Sequence, residues 1–221
     1  MIHFHGSSYV PIYAVEEAKK QIVLVIVNLG YGSSAYEKPF KNNEIFLKII
    51  RAVSDSICSQ PNMKFKKIYL TSFSAGYGAI RAILNDPILS EKIDGAILLD
   101  GLHTDYIPEG KVLADGGILN TEKLVCFLDF AKLAVNRDKK FIITHSEIFP
   151  GKYASTTETT DYLIKETNSN RQSILKWGAL GMQQTSEVIN GNFVVLGFAG
   201  NSAPDHIDHF HALFDLIKYL E

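Results

Sequence analysis

Short apolar runs rich in β-branched residues alternate with longer stretches of helical period along most of the chain, and this alternation limits the possible folds more than any other feature. The runs are IHFH, QIVLVIVNL, KKIYLTSF, GAILLD, KFIITHS and NFVVLGF, and between them lie IFLKIIRAVSDSI, YGAIRAILN, TEKLVCFLDFAKLAVN and TDYLIKETN. Strands so continuously apolar must be covered on both faces. The rhythm therefore predicts an α/β fold with a mostly parallel sheet and helices on each side. No segment repeats, none is of low complexity, and the glycine-rich spots fall between elements. A chain of 221 residues, 46% of them hydrophobic, is long enough to bury a large core, so residues 1–221 read as one domain.

Charge and composition exclude some function classes. A formal net charge of -2 with scattered Lys and Arg leaves no concentrated basic face, so nucleic acid is not an expected partner. No run approaches the roughly 18 apolar residues of a membrane span, and the start MIHFHGSSYVPIY lacks the basic, apolar pattern of a secretory signal. A soluble, cytoplasmic protein is expected. Cys58 and Cys126 lie far apart in segments of helical period and read as two buried thiols rather than a disulfide framework.

In an open parallel sheet the functional loops gather at the carboxyl ends of the strands. Those ends read HFHGSS, VNLGYGSSAY, SFSAGYG, LLDGLHTDY, THSEIFPGKYAS and FAGNSAPDHIDH, and they hold most of the reactive side chains. In SFSAG, Ser74 stands directly between a strand and a helix. Such a turn is sharp enough to crowd the positions two before and two after, and these are the small residues Ser72 and Gly76. The turn lifts the hydroxyl above the sheet and brings the helix start, with the Ala75 N–H, beside it. An ordinary strand-to-helix turn built from small residues is the plainer alternative.

The small-x-Ser-x-small turn, an HG loop after an early strand, a later acid and a histidine after the last strand resemble the α/β-hydrolase superfamily, in the chain order Ser, acid, His. The resemblance covers nearly the whole chain, with two departures. Ser72 stands where many members have glycine, and the chain starts at what would be the third strand. It therefore implies a reduced α/β-hydrolase fold of about six strands without the antiparallel entry hairpin. The exposed edge this would leave at IHFH is expected to be covered by a partner subunit or by YVPIYAVEEA.

A serine nucleophile needs a base, and the base needs an orienting carboxylate. The resemblance favours His206 as base, at the junction of loop and last helix. His209, one turn on, is second, and His211 reads as an ordinary helix residue. Asp100, at the end of GAILLD, and Glu147, after FIITH, are the two candidate acids; superfamily members most often place the acid after the strand matching the latter, with the former a variant. The oxyanion donors would be the N–H of Ala75 and that of Gly6 or Ser7 in the His5-Gly6-Ser7 loop. His5, Tyr31, Tyr36 and Tyr153 are candidate substrate contacts, and Trp177 in WGALGMQQ reads as a partly buried structural residue.

The resemblance implies a serine esterase acting on a small-molecule or glycan ester, with no cofactor and no metal. Two readings compete with it. The run DHIDHFH, with His103 and Asp105 in GLHTD, contains residue types that ligate divalent metals, although the spacing matches no full coordination set. A hydrolase-like scaffold could also serve as a non-catalytic binding module, since fold does not fix function.

Overall fold

The computed structural model describes residues 1–19, 21–57 and 66–220. Its apolar runs form strands β1 (Ile2–Phe4), β2 (Val25–Val27), β3 (Tyr69–Phe73), β4 (Gly95–Leu99), β7 (Lys140–His145) and β10 (Phe193–Phe198). Two polar strands, β8 (Gln172–Trp177) and β9 (Gln183–Asn190), complete a sheet of order β2-β1-β3-β4-β7-β10-β9-β8. A separate two-stranded ribbon, β5 (Tyr106–Ile107) with β6 (Ile118–Leu119), follows β4. From β2 to β10 all neighbours are parallel; β10 with β9 and β9 with β8 are antiparallel.

The sheet therefore has eight strands rather than about six, the extra pair forming an antiparallel hairpin before β10. The strand IHFH is not an edge. It lies between β2 and β3, so the expected cover by YVPIYAVEEA is not needed there, and that segment forms a helix, α1 (Tyr9–Ala18), instead. Within QIVLVIVNL only Val25–Val27 pair as strand. Trp177, on the edge strand β8, is 73% exposed rather than partly buried.

The helices are α2 (Ser33–Phe40), α3 (Asn43–Ile57), α4 (Tyr77–Leu84), α5 (Pro87–Lys92), α6 (Val125–Val135), α7 (Thr156–Glu166), α8 (Ala203–His211) and α9 (Leu213–Leu216). Strand side chains alternate between the two faces of the sheet. Leu70, Leu98, Ile143 and Val195 pack with Phe40, Phe46, Ile83, Phe127 and Leu163 from α2, α3, α4, α6 and α7. Ile97, Leu99, Ile142 and Leu196 pack with Val10, Ala14, Phe210 and Leu213 from α1, α8 and α9. Cys126 is buried, with its thiol pushed up to about 12 chiefly by desolvation; Cys58 lies outside the described residues. Among the described residues no helix is long and apolar enough to cross a membrane.

Candidate active site

Register brings three loops level with one another. Phe4 pairs with Ser72 and Phe73 with Leu99, so the chain leaving β1, β3 and β4 presents His5–Gly6, Ser74 and Asp100 side by side at the carboxyl edge. Ser74 has φ 45° and begins a 3-10 turn, Ser74–Gly76, that runs into α4. Glycine is needed on both sides of this turn. A Cβ on Gly76 would lie 2.2 Å from the Phe4 carbonyl oxygen, and one on Gly101 would lie 2.3 Å from that of Ser74. The Asp100–Gly101 backbone thus packs directly on the serine. The first N–H groups of a helix have no intrahelical partner, which leaves the donors at this helix start, Ala75 among them, for the site.

Asp100 (φ 41°) is 4% exposed, and its carboxylate holds His206. His206 Nδ1–H donates to Asp100 Oδ2 at 2.7 Å, which leaves the imidazole Nε2 as the basic nitrogen. Ser146 adds two more donors: its backbone N–H to Oδ1 at 2.9 Å and its hydroxyl to Oδ2 at 2.7 Å. Burial pushes the Asp100 pKa up, but the His206 hydrogen bond, the nearby His209 and the two Ser146 donors together hold the carboxyl well below the usual range. Among the described residues neither the Ser74 hydroxyl nor His206 Nε2 has a hydrogen-bond partner. The Phe73 ring, adjoining Ser74, lies 4.6 Å from the His206 ring.

Glu147 does not join the pair. It is exposed, and its carboxylate faces the Gly200 N–H at 3.4 Å. His209 is buried with Nδ1 on Thr144 Oγ1 at 2.8 Å, so the second candidate base is turned into the fold.

The loop after β1 is held by residues that sequence reasoning left aside or misplaced. A carbonyl only accepts, so buried His3 donates Nε2–H to His5 O at 2.8 Å, while its Nδ1 accepts from the Thr71 hydroxyl at 2.8 Å. His5 and Gly6 both have positive φ, 73° and 112°, and a Cβ on Gly6 would lie 2.5 Å from the Phe210 ring. Neither the Gly6 nor the Ser7 N–H has a partner among the described residues. Tyr36, expected to face a substrate, is wholly buried. Its hydroxyl accepts the Leu29 N–H at 3.2 Å and shares a hydrogen bond with His5 Nδ1 at 2.8 Å.

Of the other expected substrate contacts, Tyr31 is 97% exposed and Tyr153 43% exposed. The Tyr153 ring stands edge to face on His103, whose Nδ1–H donates to Ala154 O at 2.9 Å. Among the described residues no three His, Cys, Asp or Glu side chains are grouped to hold a metal ion. In DHIDHFH the histidines are divided, His206 on Asp100 and His209 on Thr144, and Asp105 is paired with Lys123. Ser146 and His3 were missed because a hydroxyl after a strand and a histidine within one carry no signal of their partners. No protein-family model matches the chain, and neither the curated proteins nor the solved structures give a match.

Proposed function

We propose that the chain is a serine hydrolase of carboxylic esters, of the α/β-hydrolase type. The observation that carries this reading is the pairing of buried Asp100 with half-buried His206, 2.7 Å apart, with Asp100 at a strand end level with Ser74. Ser74 Oγ attacks the acyl carbon as its proton passes to His206 Nε2, and Asp100 keeps the ring oriented and stabilises the imidazolium. The carbonyl oxygen becomes an oxyanion, stabilised by the Ala75 N–H and by the Gly6 or Ser7 N–H. The intermediate collapses, the C–O bond breaks, and His206 returns the proton to the leaving alkoxide. Water, deprotonated by His206, then releases the acid and restores the serine. In this reading Ser74 Oγ comes within hydrogen-bond reach of His206 Nε2 when substrate is bound, since catalytic hydrogen bonds are often open in the free enzyme. The substrate in this reading is a small-molecule or glycan ester.

Hydrolysis of p-nitrophenyl acetate and butyrate, with labelling by a fluorophosphonate, tests the reading. Ser74→Ala and His206→Ala should each lose at least about 10³-fold in kcat, and Asp100→Asn should lose on the order of 10⁴-fold. Glu147→Gln should stay within about twofold, and Ser74→Ala should not be labelled. Wild-type protein that neither turns over ester nor takes the label would support a binding module instead. Turnover that survives Ser74→Ala would overturn the serine mechanism.

A further inference from the structure

Three residues past Asp100, the chain leaving β4 carries another histidine, His103, on a loop tied down from several sides. The Thr159 hydroxyl donates to Leu102 O at 2.7 Å, the Ala154 N–H donates to Thr104 O at 2.9 Å, and Arg81 Nη1 donates to His103 O at 3.5 Å. Arg81 is itself paired with Glu37. The ring is held as firmly as the backbone. It stands edge to face with Tyr153, centroids 5.0 Å apart, and with Tyr77 at 5.6 Å, and Tyr77 is the residue with which the turn after Ser74 enters α4. Asp100 and His206 are both near enough to act on its charge, in opposite directions. His103 is thus a neighbour of the Ser74 site on the side of Tyr77.

The ring's chemistry limits what it offers there. Nδ1–H donates to Ala154 O at 2.9 Å, and burial, the largest influence, holds the pKa below its ordinary 6.5. At neutral pH the ring therefore carries one proton, already used, and Nε2 is a lone pair that can only accept. Among the described residues that nitrogen has no hydrogen-bond partner. His103 is partly exposed, and its Nε2 is not sealed as the unpartnered His209 Nε2 is. The lone pair is open to solvent. The oxygens of an ester group only accept, so the scissile group itself cannot satisfy it, whereas a hydroxyl elsewhere on the substrate can.

We propose that His103 Nε2 is a specificity-determining acceptor, receiving a hydrogen bond from a hydroxyl group carried by the ester substrate. The inference rests on the serine-esterase reading and narrows it to hydroxylated esters, with the hydroxyl on the acyl or the alcohol side. An acceptor fixed in advance costs little to order when substrate binds. An analogue lacking the hydroxyl would cover the lone pair and leave it unpaired, which is how a polar site rejects an apolar isostere.

The test measures kcat/KM on two pairs of near-isosteric esters. On the acyl side these are p-nitrophenyl 3-hydroxybutyrate and p-nitrophenyl 3-methylbutyrate; on the alcohol side, 2-hydroxyethyl butyrate and propyl butyrate, followed by pH-stat. Wild-type protein should prefer the hydroxylated member of one pair by about tenfold or more, and the pair that shows it names the side. His103→Phe keeps the ring and removes both nitrogens; His103→Asn can keep the Ala154 contact but does not extend to the position of Nε2. Both should bring the ratio close to one, and His103→Gln, whose carbonyl extends that far, should restore part of it. Each ratio is taken within one protein, so a histidine that only supported the fold would lower both members alike and leave the ratio standing. Fluorophosphonate labelling runs alongside. Label and turnover with ratios within about twofold of one in both pairs would overturn this inference alone, as would a preference that survives in both His103→Phe and His103→Asn. Wild-type protein with neither label nor turnover would overturn the esterase reading and this inference with it.

Discussion

His206 and Asp100 are 106 positions apart in sequence and meet at 2.7 Å, and each was visible from its place after a strand. The sequence left Asp100 and Glu147 as alternatives, and the difference between them is a matter of neighbours. Asp100 is stiffly held at positive φ under two Ser146 donors, whereas Glu147 points out to Gly200. Ser146 is accordingly a positioning residue. Ser146→Ala removes the hydroxyl donor but keeps the N–H, so kcat should fall about tenfold with KM little changed, and Ser146→Thr should restore part of the loss. Steady-state kinetics on p-nitrophenyl butyrate checks both; a fall confined to KM would assign Ser146 to substrate binding. Tyr36 was misplaced for the opposite reason. A tyrosine in a glycine-rich loop resembles a rim residue, and nothing in the sequence says that its hydroxyl is taken by Leu29 and His5.

At the scale of elements, the parallel strands were legible because burial on both faces leaves only apolar choices, and the helices between them because their apolar positions recur at helical spacing. The β8–β9 hairpin gave no such signal. In β9 the inward positions include Gln184 and Ser186, which are buried but polar, and β8 is an edge strand with Leu175 and Trp177 exposed. Helix α1 was missed because Pro11 lies in its first turn and its buried residues are few, Val10, Pro11 and Ala14. Helix α7 has Ser155 as its N-cap, which accepts the Glu158 N–H at 3.1 Å while Glu158 accepts the Ser155 N–H at 2.8 Å. Breaking this reciprocal cap with Ser155→Ala should cost about 1 kcal/mol. Urea unfolding of variant and wild type side by side measures it, and an unchanged midpoint would mean that packing alone holds the helix start.

For the whole molecule, acid is the expected weakness. Burial is the main reason that His3, His145 and His209 do not take a proton until about pH 4, although all three start from an ordinary value of 6.5. Between those limits the unfolded chain binds more protons than the folded one, so stability falls as pH falls, by up to roughly 1.4 kcal/mol per unit for each histidine. Asp100 acts in the same direction lower down. Its folded pKa lies below the ordinary 3.8, so the stability it contributes is present above about 4 and drains away as pH drops further. Urea midpoints should therefore fall steeply from about pH 7 to pH 5, and a level profile would contradict the buried neutral histidines. The positive φ of Ser74 and Asp100 bears on how such a protein could change over generations. A side chain in that region costs on the order of 1 kcal/mol that glycine does not, so selection for heat tolerance alone would favour glycine at both positions. The two residues would persist only in a lineage whose survival depends on what they do.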